Sequence, residues 1–141
     1  MKKSPWQLVD LYEGAHIRVQ TPNYYHHGIY IGNDEVVQFG KPDEVYGSWD
    51  EIKVLRSPIA DFCGDATFIE VYVYDRKERK RKRSDAEIVQ TALSKVGEGG
   101  YHLLYNNCEH FANFCVYGVA SSVQIDDIYS NVDKLLSKGT K

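Results

Sequence analysis

Cys108, in the stretch LLYNNCEHFANFC, is the best nucleophile in the chain. Asn106 and Asn107 before it are helix-capping types, so the pattern predicts a helix over about 108–117 with the sulfur in its first turn. Unpaired N–H groups and the helix dipole favour a thiolate there. A neighbouring histidine would lower the thiol pKa further and serve as acid and base. The position also suits a small buried residue, which is what most free cysteines are. The partner imidazole has to come from elsewhere in the fold. His26 and His27 lie in YYHHGIYIG and point to opposite faces, because side chains alternate along a strand. One of them should face the cysteine helix, and period alone does not choose between them. Gly28 and Gly32 share the His26 face and leave it open to a substrate or an approaching helix. His110, two residues after Cys108, points away from it and more plausibly caps, packs or bonds to a loop. Glu109 can help order the helix start. Cys115 reads as core, and Cys63 has no chemical context. A metal site from Cys108, His110 and His26 matches no standard ligand spacing, so neither a metal nor a cofactor is expected.

The elements that must position these groups change period half-way along the chain. HIRVQ (16–20), residues 24–32 and EVVQF (35–39) read as strands, the last two joined through Asn33-Asp34 as a hairpin. FIEVYVYD (68–75) reads as the clearest strand. Residues 40–57 are mixed. Ser84 with Glu87 forms a capping box ahead of a helix over 85–96, stopped by Gly97. Val123, Ile125, Ile128, Val132, Leu135 and Leu136 suggest a further amphipathic helix at the C-terminus. Strands first and helices after favour α+β, an antiparallel β-sheet packed against helices, over a βαβ repeat.

A chain of 141 residues, 43% hydrophobic and 26% charged, is expected to form one globular domain over 1–141. It has no apolar run of the ~18–20 residues that cross a bilayer. No apolar stretch follows Lys2 and Lys3, so a secretory signal is not expected and a cytoplasmic place is. Three cysteines, an odd number, fit a reducing compartment. The net charge of −3 hides an asymmetry: RKERKRKR (76–83) has seven basic residues and one acidic, net +6, leaving −9 on the rest. Arg76, Lys77, Arg79, Lys80, Arg81, Lys82 and Arg83 are candidates for peripheral contact with anionic headgroups, against the plainer reading of a solvated loop. No aromatic interrupts the run, so a stacking platform for nucleic acid is missing and no such partner is expected.

YHHGIYIG followed by EVVQF, together with LLYNNCEHFANFC, resembles the H-box and NC motif of the lecithin:retinol acyltransferase-like family. EGAHIRV (13–19) resembles that family's opening strand, with Ala15 where Asp is common, and the match spans about 10–120, leaving 121–141 as a helical extension. The resemblance implies a permuted papain-like, NlpC-type thiol fold. It puts the nucleophile on Cys108, the general base on His26 and the third polar residue on Gln38, where the family mostly has histidine. Glutamine can hold the imidazole's tautomer but carries no charge to stabilise an imidazolium. His27, in a usually aromatic position, Asn107 and Tyr30 stand beside them as candidate supporting residues. The implied reaction passes an acyl group from a glycerophospholipid or other acyl ester through a Cys108 thioester to water, an amine or an alcohol. A peptidase or amidase of the same fold, or a non-catalytic interaction module, are the competing readings.

Overall fold

The computed structural model of the chain describes residues 4–22, 24–40, 52–100 and 107–118. Six strands form one sheet among them: β1 (Trp6–Gln7), β2 (His16–Gln20), β3 (Tyr25–Gly32), β4 (Glu35–Phe39), β5 (Val54–Pro58) and β6 (Glu70–Tyr72). Their spatial order is β1-β6-β2-β3-β4-β5, and every neighbouring pair is antiparallel. The helices are α1 (Ile59–Cys63), α2 (Arg76–Arg81), α3 (Asp85–Ser94) and α4 (Cys108–Tyr117). The fold is α+β, as the sequence pattern indicates. The expected C-terminal helix lies outside the described residues.

Alternation along the strands divides the apolar side chains between two faces. Ile29, Val37 and Phe39 pack with Ile88 and Ala92 of α3 and with Phe111, Ala112, Cys115 and Val116 of α4. Ala15, Ile17, Val19, Val36 and Val71 pack on the other face with Phe62 of α1. Asn33 and Asp34 both take positive φ, 52° and 57°, which is what a tight two-residue hairpin matching the strand twist requires. A Cβ on Gly28 would come within 2.8 Å of both Phe62 and Val36. The space beside that glycine is therefore filled by α1 and closed to substrate.

Three local expectations change. Only Glu70–Tyr72 of the 68–75 stretch pairs as a strand; Val73 closes the ladder on the Pro5 carbonyl and Asp75 caps α2. The basic run, expected as a connection, is largely helical because Asp75 and Glu78 form a reciprocal capping box. The mixed stretch before 58 contains β5, and α1 follows directly.

Candidate active site

The hairpin of β3 and β4 puts His26 and Gln38 on the α1 face, both buried. Gln38 Oε1 lies 2.6 Å from His26 Nε2, and Gln38 Nε2 donates to Ser57 Oγ at 2.5 Å. With the amide oriented this way, its oxygen accepts from the ring. The His26 proton then sits on Nε2, and Nδ1 is the basic nitrogen. Phe62 backs the imidazole at 5.1 Å between ring centroids. Ser57 has no signal in the sequence: it reaches Gln38 only through the β4–β5 register, in which Val36 faces Ser57.

Cys108 begins α4. Asn107 caps the helix, its Oδ1 accepting from the His110 N–H at 3.0 Å while His110 Nδ1 accepts from the Asn107 N–H at 3.3 Å. His110 therefore caps its own helix, as expected. The Cys108 sulfur packs against the main chain of β3 on both sides of residue 26. It donates to the Tyr25 carbonyl at 3.7 Å, and the His27 N–H on the same side of the sulfur pulls the thiol's pKa down. Tyr30 N–H and C=O bond toward β2, so the carbonyl of Tyr25 and the N–H of His27, at positions of opposite parity, point toward the β4 side. The β3–β4 ladder runs from Ile29↔Val37 to Gly32↔Glu35 and does not reach residues 25–27. The sulfur thus lies along the β4-side edge of β3, buried in the cluster on the α4 face, while the His26 ring lies on the α1 face. The Cys108 and His26 side chains are not hydrogen-bonded to each other. Burial pushes the Cys108 thiol up to about 11, more than the N–H groups of His27, Glu109 and Cys108 itself pull it down. That differs from the depressed pKa expected for a helix start, because burial of the sulfur outweighs the helix N–H groups.

His27 faces the other side of the sheet, with α4. Its Nδ1 lies 2.8 Å from His16 Nε2, and its Nε2 lies 3.7 Å from a Glu109 carboxylate oxygen. Trp6 sets its edge against both rings, and His16 stacks on Tyr72. Burial holds His27 well below its usual pKa and His16 down to about 3, so both are neutral. Sequence reasoning did not single out His16. Tyr30 turns toward the α1-side cluster and its hydroxyl accepts from the Asp34 N–H at 3.2 Å. Tyr25 also borders a cleft of about 450 Å³ lined by Leu8, Phe68, Ala66 and Glu70 among others. Arg18, paired with Glu70 at 2.9 Å, lies over the Tyr25 ring.

The described residues contain no cluster of histidine, cysteine and acidic side chains able to hold a metal ion. Residues 10–121 match the family model described as Lecithin retinol acyltransferase, which is most of the chain. The chain belongs to the lecithin retinol acyltransferase family. A rat relative named lecithin retinol acyltransferase is 24% identical over 96% of this chain and 67% of its own length. Human phospholipase A and acyltransferase 3 is 34% identical over 82% of this chain and 76% of its own. Human phospholipase A and acyltransferase 1 is 30% identical over 85% and 76%. The chain thus spans about two thirds of the lecithin retinol acyltransferases it matches. Membership places it in an enzyme family.

Proposed function

We propose that this protein is a thiol-dependent acyltransferase and phospholipase acting on acyl esters of glycerophospholipids, with Cys108 as nucleophile, His26 as general base and Gln38 as the residue that orients it. One observation carries the reading. The Cys108 sulfur lies against β3 on both sides of residue 26, and a buried Ser57–Gln38–His26 chain leaves the basic nitrogen of that imidazole at Nδ1. The names of the relatives, phospholipase A and acyltransferase among them, supply the substrate class.

His26 takes the thiol proton as the sulfur attacks the ester carbonyl. The acyl carbon–oxygen bond breaks, the alkoxide of the lysophospholipid leaves with that proton, and a Cys108 thioester remains. Water, an amine or an alcohol then gives its proton to His26 and takes the acyl group, and the sulfur regains a proton. Developing oxyanions face main-chain N–H groups at the start of α4. Burial favours the neutral thiol, so the proton passes to His26 as the sulfur attacks.

Peripheral membrane contact belongs to the same reading. Arg79, Arg81, Lys82 and Arg83 have partners within the fold: the Tyr74 carbonyl, the Tyr117 ring, Asp85 and Glu87. Arg76, Lys77 and Lys80 are exposed without such partners among the described residues, and are left to meet anionic headgroups. No helix of the described residues is long and apolar enough to cross a membrane.

The test is intact-mass analysis after incubation with phosphatidylcholine vesicles. An acyl-sized adduct on the wild type, absent from Cys108→Ser, is the expected result. An adduct formed only with peptide substrates would favour a peptidase, and no adduct with either would leave an interaction module.

A further inference from the structure

Buried His16 and His27, with the partly buried Glu109, form a second polar chain that the proposed reaction does not use. The carboxylate of Glu109, 3.7 Å from Nε2, favours the ring proton at that nitrogen, so Nδ1 accepts from the Nε2–H of His16 at 2.8 Å. The chain therefore runs in one direction, from His16 through His27 to Glu109. Both ends are anchored. His16 lies between Trp6 and Tyr72, and Glu109 is the residue after the nucleophile. The middle member's main-chain N–H shares the strand edge with the Tyr25 carbonyl that the Cys108 sulfur contacts at 3.7 Å, and it favours the thiolate there.

We propose that His27 is a positioning residue for the reaction at Cys108. Its side chain, hydrogen-bonded to His16 and 3.7 Å from the Glu109 carboxylate, sets β3 against the first turn of α4 through an electrostatic contact. That contact keeps the His27 N–H beside the sulfur, where it joins the N–H groups of Cys108 and Glu109 in stabilising the thiolate. A strand and a helix that meet at one atom need such a tie, because a shift of a few tenths of an ångström at either would lengthen the contact and weaken it. His27 is almost fully buried, and its ring nitrogens face His16 and Glu109 and not the substrate.

The inference rests on the thiol reading of Cys108, and its test does not need turnover. The rate of Cys108 alkylation by iodoacetamide is followed against pH in the wild type, His27→Phe and Glu109→Gln. Phenylalanine keeps the ring against Trp6 and removes both nitrogens; glutamine removes the charge that fixes the ring proton on Nε2. Glu109's charge by itself disfavours the thiolate. If electrostatics alone mattered, Glu109→Gln would react faster than the wild type. Positioning predicts the opposite, a fall of about tenfold at pH 8.5 in both variants, the order expected for weakening one hydrogen bond to an anion. The same variants should lower kcat while leaving KM unchanged. Alkylation at or above the wild-type rate, in either variant with an intact far-UV circular dichroism spectrum, overturns the proposal. Glu109→Gln decides alone if His27→Phe does not fold. A wild type that forms no acyl adduct but still shows the two slowed variants would sink the acyl-transfer reading and leave this one standing.

Discussion

The Cys108 sulfur is held by opposed forces. Main-chain N–H groups around it favour the anion, and its own burial disfavours it more strongly. In such a site the base matters more than the resting charge of the thiol, which puts the weight on His26 and on what orients it. Gln38 is the residue to test. Gln38→Leu removes the acceptor from His26 Nε2 and is expected to lower kcat for phospholipid hydrolysis by about tenfold or more, the usual order for losing an orienting partner. Gln38→His should restore hydrolysis to at least the wild-type rate, since an imidazole there can accept from His26 through one nitrogen and donate to Ser57 through the other. Turnover by Gln38→His as low as by Gln38→Leu would show that position 38 has another task.

Strand β3 carries imidazoles to both faces, and those at His27 and on β2 at His16 are kept neutral by burial. A histidine whose folded pKa lies below its unfolded value of about 6.5 leaves the unfolded chain holding more protons in acid. Stability is therefore complete above pH 6.5 and falls as pH drops toward the folded pKa, which for His16 is about 3. Each imidazole contributes about 1.4 kcal/mol per pH unit below 6.5. The urea midpoint should thus drop clearly between pH 7.5 and pH 5.5. An unchanged midpoint would mean that one of the pair is already charged in the folded protein. Strand alternation made the hairpin and the shared face of His26 and Gln38 legible from the sequence. The α2 helix is equally encoded, since Asp75 and Glu78 repeat the device seen at Ser84 and Glu87 ahead of a run of seven basic residues and one acidic.

For the molecule as a whole, the proposed membrane contact rests on the exposed cations of α2. Replacing Arg76, Lys77 and Lys80 by glutamine should lower partitioning onto phosphatidylserine vesicles by about a hundredfold, at about 1 kcal/mol for each cation near the surface. Vesicle sedimentation measures it, and a variant that binds as well as the wild type at low salt would remove α2 from the membrane contact. By itself the sequence determined the α+β class, the start of α4 at Cys108, and the strand parity that sorts His26 from His27. Those properties depend on residues close together in the chain, through caps, turns and a two-residue period. Only the tertiary structure decided that Ser57 completes the chain to His26, that Phe62 fills the space beside Gly28, and that the sulfur lies along the β4-side edge of β3. Each of those contacts joins segments far apart in sequence. No local periodicity encodes the register between β4 and β5 or the burial that raises a thiol's pKa.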